Sequence, residues 1–202
     1  MNLDEIKAVQ AKVGADVDGI WGPASTRATE EHLRALMPSP HPFPTPQEIR
    51  SGNSMFGEHG DPDGDSPPMV AAKLPFTAYL YGRRDSPVHS ISCHKLAAKS
   101  LGLVFEDLAE TFPTEEARDA AGILDYYGCY NPRRIRQGSV WSMHSWAIAV
   151  DFNAPANMLN DHWPRVAEMP LEVMECFSRQ GWIAAGAWWS ADAMHFEASQ
   201  PY

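Results

Sequence analysis

Two short stretches of this chain gather side chains that could do chemistry together: Ser-Met-His-Ser-Trp-Ala-Ile-Ala-Val-Asp at 142–151 and Asp-Ala-Met-His-Phe-Glu at 192–197. His144, Asp151 and His195 offer two imidazoles and one carboxylate, the set that holds a divalent ion such as Zn2+ and leaves a position for water. Asp192, three residues before His195, is the candidate base for that water. Two histidines and one aspartate also make the iron triad of oxygenases. Those sites usually put the carboxylate two residues from the first histidine, whereas Asp151 follows His144 by seven, which disfavours iron.

These side chains need a scaffold that brings 144, 151 and 195 together. Apolar alternation reads residues 148–153 as a strand, with His144 in the loop before it, and residues 194–197 as another, with Met194 and Phe196 turned into the core and His195 outward. Residues 73–81 and 123–130 read as further strands, and 182–187 as a short one. Helical spacing marks 93–111 and 171–180. Helices and strands without regular alternation predict an α+β domain: a small antiparallel sheet with flanking helices holding the zinc site.

Ahead of it, Leu3, Ile6, Val9 and Val13 repeat at helical spacing, Gly14 ends that helix, and Pro23 opens a second running to about Met37. Prolines at 38, 40, 42, 44 and 46 favour an extended, semi-rigid spacer. The expected organisation is a small helical domain at 1–37, a Pro-rich linker at 38–46 and the metal-bearing domain at 47–202.

Composition narrows the function. With 202 residues, 44% of them hydrophobic, the chain can bury a real core. The formal charge of −10 argues against nucleic acid, whose phosphates need clustered Lys and Arg. No apolar run is long enough for a membrane span. The acidic, amphipathic start lacks the features of a secretory signal, so synthesis in a cytoplasm is expected. Cys93, Cys129 and Cys176 are widely spaced without a CxxC pair, and read as buried free thiols.

Two resemblances add to this reading. Gln10, Gly14 and Asp18-Gly-Ile-Trp-Gly-Pro-Ala-Ser-Thr-Arg-Ala28 resemble the repeat of the small helical peptidoglycan-binding domain over about the first 37 residues. That implies a wall-binding role for Asp18 and Trp21. Read from the residues alone, Asp18, Trp21 and Thr26 hold a helical hairpin together.

Ser142-x-His144-x-x-Ala147-x-Ala149-x-Asp151, followed by Asp192-x-x-His195, resembles the signature of the zinc peptidases that cut bacterial wall peptides. That family includes D-alanyl-D-alanine carboxypeptidases and dipeptidases and the L-alanyl-D-glutamate endopeptidases of phages. The likeness spans roughly 47–202 and implies His144, Asp151 and His195 as zinc ligands, Asp192 as general acid/base and metal-assisted hydrolysis as the reaction. Tyr130-Asn-Pro-Arg133 stands where the family carries a Tyr-x-Arg or Tyr-Arg element. Arg133 would there steady the substrate carbonyl, with Arg134 and Arg136 close enough to compete and a solvated turn as the other reading. Ser142 would orient a ligand from behind. Trp188 and Trp189 either wall the cleft or belong to the core, and Glu197 either orients a ligand or lies on the surface. Ala147 occupies the family's glycine position, so a positive φ there would demand a re-shaped loop.

Together the resemblances imply a phage endolysin, made in the host cytoplasm, acting as a single chain on peptidoglycan in the periplasm or wall after release. The competing reading is a non-catalytic wall-binding protein whose zinc is structural.

Overall fold

The computed structural model describes residues 1–136 and 138–201. The chain opens with two antiparallel helices, α1 (Leu3–Val13) and α2 (Pro23–Leu36). Asn2 and Glu5 form a reciprocal cap that satisfies the first free amides of α1, and Gly14 closes the helix in the left-handed conformation at φ 75°. The side chain of Gln10, wholly buried, bolts the hairpin together. Its Nε2 donates to Asp18 Oδ1 (2.9 Å), the Ile20 carbonyl (3.2 Å) and Ser25 Oγ (3.2 Å), and its Oε1 accepts from the Gly19 amide (2.8 Å).

Residues 38–46 are laid against the rest of the molecule. Phe43 is buried between Phe56 and Trp182, and the Gln200 amide donates to the Pro44 carbonyl at 2.9 Å. Thr45 then caps a short helix absent from the sequence expectation, α3 (Pro46–Arg50).

The sheet has six strands: β1 (Met69–Leu80), β2 (Pro87–His94), β3 (Asp125–Gly128), β4 (Ala149–Phe152), β5 (Ile183–Ala184) and β6 (His195–Glu197), in the spatial order β2-β1-β3-β4-β6-β5. Every neighbouring pair is antiparallel except β1 and β3. The exception follows from the connection. Between β2 and β3 the chain crosses over through α4 (Ala98–Thr111) and α5 (Glu115–Ala120), and such a crossover can return parallel to β1. The β1/β2 register shifts between Lys73 and Ala78, the segment containing Pro75, which has no amide to give the ladder.

Leu101, Val104, Phe105 and Leu108 of α4 pack with α6 (Leu171–Arg179) over the sheet. The Phe196 ring of β6 stacks on Phe177 at 3.9 Å. The N-terminal hairpin docks on the back of α6: Lys12 reaches Glu172 and Glu175, His32 Nε2 lies 2.7 Å from Glu175, and Trp21 meets Trp163 edge-on at 5.1 Å.

The structure moves several sequence boundaries. The helix expected at 93–111 starts at Ala98, because β2 runs to His94, whose amide is engaged by the Ala147 carbonyl at 2.8 Å. The stretch 182–187 is half strand and half helix, β5 passing directly into α7 (Ala185–Trp188). Cys93, Cys129 and Cys176 are buried free thiols, as expected. Among the described residues no helix is long and apolar enough to cross a membrane.

Candidate metal centre

Strand register sets the distance between two of the three candidate ligands. Asp151 on β4 pairs directly with His195 on β6, so their side chains rise from one face at neighbouring-strand spacing. His144 comes from a single turn of 3₁₀ helix, Met143–Trp146, rather than from an open loop. That turn is closed by Ala147 at φ 56°, ψ 36°. Ala147 therefore occupies the left-handed region that favours glycine, at a cost of about 1–2 kcal/mol.

The three donor atoms converge. His144 Nε2 and His195 Nδ1 are 3.2 Å apart, and Asp151 Oδ1 lies 3.2 Å from the first and 3.1 Å from the second. The opposite ring nitrogens are engaged by the protein. His144 Nδ1 lies 2.7 Å from the Cys129 carbonyl, which can only accept, so the proton sits on Nδ1 and the Nε2 lone pair faces the cluster. His195 Nε2 lies 3.1 Å from Glu197 Oε2, and Glu197 Oε1 accepts from Ser199 Oγ at 2.5 Å. Such a carboxylate behind a histidine fixes which nitrogen points forward. Glu197 is 2% exposed, which corrects its reading as a surface residue.

The charges interlock. Burial pushes the Asp151 carboxyl up, but the His144 and His195 imidazoles outweigh burial and hold it well below the usual carboxylate range. Burial pushes His195 down, and its hydrogen bonds to Asp151 and Glu197 override that, taking the imidazole up to about 10. A cation is what this arrangement favours. Two imidazoles and a carboxylate within 4.8 Å of one another fit a divalent ion of the zinc type, which would displace the shared proton.

Asp192 stands beside the cluster in a left-handed conformation, φ 60°. Burial raises its carboxyl above the ordinary value and Asp151 adds to this, while His195, His144 and Arg133 pull the other way. Its Oδ1 is buried and, among the described residues, has no hydrogen-bond partner. A strained backbone presenting an unsatisfied carboxylate oxygen is the kind of feature kept for function.

These residues share a cleft of about 420 Å³ with Ser142, Arg133, Arg136, Tyr81, Tyr127 and Trp189. A larger hollow of about 840 Å³, between α1 and residues 165–172, contains none of the candidate residues. The cleft is the better site because the chemistry converges there. Ser142 and Arg133 are on its wall as expected; the Ser142 amide donates to the Arg133 carbonyl at 3.0 Å. Arg134 turns away, its guanidinium 4.7 Å from the Trp141 ring centre.

Of the two readings for Trp188, the cleft wall is not the one observed: it does not line the cleft and sits beneath the Arg34 guanidinium at 4.7 Å. Trp189 does the walling, 42% exposed and stacked over His195. Met194 also lines the cleft instead of the core, because β6 begins only at His195. Tyr81, Tyr127 and Arg50 carried no sequence signal; turns and strand ends bring them in.

In the hairpin, Asp18 is engaged by Gln10 and by the Ile20 amide at 2.8 Å, and the Trp21 ring is buried against Trp163. The structure gives both residues holding roles. Only an edge of Trp21 reaches a surface groove, shared with Thr26, Arg27 and Trp163.

Residues 136–198 match the family model of D-alanyl-D-alanine carboxypeptidase. The match takes in His144, Asp151, Asp192 and His195 and supports the peptidase family; Arg133 and the N-terminal hairpin lie outside it. Comparisons with curated proteins and with solved structures gave no match.

Proposed function

We propose that this chain is a zinc metallopeptidase that hydrolyses a peptide bond in the stem peptide of bacterial peptidoglycan. The observation that carries the reading is the open side of the cluster. Both histidines are fixed from behind and present one nitrogen each beside Asp151, and the unpartnered oxygen of Asp192 stands next to them. A purely structural site would have no use for that oxygen, which favours catalysis over a wall-binding protein with an idle Asp192.

Zinc held by His144, Asp151 and His195 would polarise the scissile carbonyl and acidify water. Asp192 takes the proton of the attacking water on its carboxylate and hands it to the leaving amine, work suited to a partly desolvated acid. Glu197 keeps the His195 ring turned. Arg133, on the cleft wall, steadies the carbonyl oxygen as charge develops. Trp189 shields the site from bulk water.

The N-terminal motif supports a further step in the reading. Residues 1–37 form a wall-binding domain and 38–46 its connection, and the protein serves as a phage endolysin that reaches the wall through a lesion made by another protein. The test is incubation of the zinc-loaded protein with purified murein. New amino termini are expected, and mass spectrometry of the products identifies the bond; a zinc-loaded protein that releases none overturns the hydrolase reading.

A further inference from the structure

The loop that carries Trp189 and Asp192 stands between two hollows. Trp189, Asp192 and Met194 line the metal cleft, while Ser190 lines the groove on the hairpin side with Trp21 and Trp163. Ser190 and Asp192 are both left-handed, at φ 56° and 60°, a conformation in which the Cβ crowds the following carbonyl. Such a segment keeps its shape only where its surroundings impose it.

The far end of the loop is held by the sheet: the Met194 carbonyl accepts from the Phe152 amide at 3.0 Å, and β6 begins at the next residue. The near end is held from the hairpin. The Ser190 carbonyl accepts from the Trp163 amide at 3.3 Å and from His162 Nδ1 at 2.9 Å. Trp163 is fixed in turn by its indole, which donates to the Met169 carbonyl at 2.8 Å, and by its edge-to-face contact with buried Trp21; Arg165 donates to the Trp21 carbonyl. A second hold falls on α7. Arg34 of α2 covers Trp188, the last residue of α7, and α2 packs against that helix. α7 meets the loop again further on, since a Cβ on Gly186 would come 2.6 Å from the Ala193 Cβ. What fixes α7 therefore also fixes the residue after Asp192.

We propose that the N-terminal hairpin is a positioning element for the 189–194 loop: Trp21, through Trp163, holds Ser190, and Arg34 holds Trp188, so that Trp189 and Asp192 are set beside the metal centre. This rests on the peptidase reading of the cleft and goes beyond it, because neither Trp21 nor Arg34 lines that cleft. A module that served only as a tether would need no contact with the working loop. This one packs a buried tryptophan against the very residue whose amide holds the loop.

The experiment compares full-length, zinc-loaded Trp21→Ala and Arg34→Met with wild type and with the conservative Trp21→Phe and Arg34→Lys, circular dichroism checking that each is folded. Two quantities are read: kcat and KM on the soluble peptide L-alanyl-γ-D-glutamyl-L-lysyl-D-alanyl-D-alanine, and amide hydrogen exchange over 189–194. Trp21→Ala should lower kcat about 10- to 100-fold, the scale for a displaced catalytic group, with KM and zinc content unchanged. It should also speed exchange of the loop about tenfold, the scale of an aromatic pair. Arg34→Met should move both readings the same way by about two- to fivefold, and the conservative variants should recover most of each loss. Gln10→Ala loosens the hairpin without touching either contact and should leave both readings at the wild-type values.

Unchanged loop exchange in Trp21→Ala and Arg34→Met overturns the positioning role. So does faster exchange with unaltered kcat, or an equal effect of Gln10→Ala, which would mark general destabilisation. If Trp21→Ala does not fold, exposed Arg34 and its lysine variant decide the matter by the same readings. If the wild type cuts no peptide, the hydrolase reading fails separately and exchange alone decides: protection of 189–194 that depends on Trp21 and Arg34 upholds the positioning role, and protection that does not rejects it.

Discussion

The N-terminal hairpin and the metal centre are built from similar polar side chains around short motifs, yet they finish differently. In the hairpin Gln10 and Asp18 are answered from within: Gln10 bonds Asp18, Gly19, Ile20 and Ser25, and Asp18 also holds the Ile20 amide. In the centre, His144 and His195 are answered behind, their forward nitrogens face one another and Asp151, and Asp192 Oδ1 meets no partner. A closed polar network fixes backbone; an open one keeps donor atoms for a ligand. Burial does not separate the two, since Gln10, His144 and His195 are all buried.

Substitutions can break or sharpen this contrast. The largest effect is expected from His144→Ala, which should abolish both zinc retention, read by metal analysis after dialysis, and turnover of wall peptide. Asp192→Asn should keep the zinc and lower kcat roughly 10²–10⁴-fold, the usual contribution of a general acid–base group. Loss of zinc in that variant would place Asp192 among the ligands instead.

The same substitution carries a pH signature. Burial raises the Asp192 carboxyl, so the folded protein holds that proton at pH values where the unfolded chain has released it. Ionised Asp192 therefore costs stability above this window and nothing below the ordinary carboxylate value of about 3.9. With zinc chelated, Asp192→Asn should raise the melting temperature at pH 7 and leave it unchanged at the acid end. Calorimetry that finds the reverse order would show the group to be paired.

Glu197→Gln should weaken zinc binding or activity about 10–100-fold, the scale for losing a carboxylate behind a ligand histidine; a competition assay with a chromogenic chelator reads it. In the hairpin, Gln10→Ala leaves the Gly19 amide and Ser25 short of a partner and should cost about 1–3 kcal/mol in denaturant unfolding. Turnover of a soluble peptide should stay at the wild-type rate, and a fall matching that of a ligand variant would erase the distinction drawn above. The smallest effect is expected at Ala147→Gly. Relief of the left-handed alanine, about 1–2 kcal/mol, is opposed by loss of one buried methyl, about 0.8 kcal/mol. Unfolding free energy should shift by about 1 kcal/mol or less.

What could be read in advance followed from local rules. Gly14 at the end of α1, Pro23 at the start of α2, and the apolar periods of β1, β4 and α6 are all written in neighbouring residues, and these elements fall close to their expected places. The ligand set was legible for a different reason: singly these histidines have many other uses, and only the two stretches together resemble the peptidase signature. What was missed depends on contacts distant in sequence. β2 is polar and half exposed along much of its length, so its pairing with β1 rather than its own pattern makes it a strand. Glu197 looked like surface until Ser199 and His195 closed over it. Trp188 and Trp189 are indistinguishable in sequence, and only α7 ending at Trp188 turns one toward Arg34 and the other toward His195.

The pairing of Asp151 with His195 makes the centre a gauge of strand register. Side chains alternate along β6, so a slip of one residue would put Phe196 where His195 stands and pull the aromatic ring from its stack on Phe177. Assembly of the donor atoms and closure of the apolar core are thus one event. β6 is also the last of the six strands in sequence, yet it lies inside the sheet between β4 and β5. A nascent chain that has already made His144 and Asp151 still has no complete centre, and the third donor arrives only when that final strand has threaded into place.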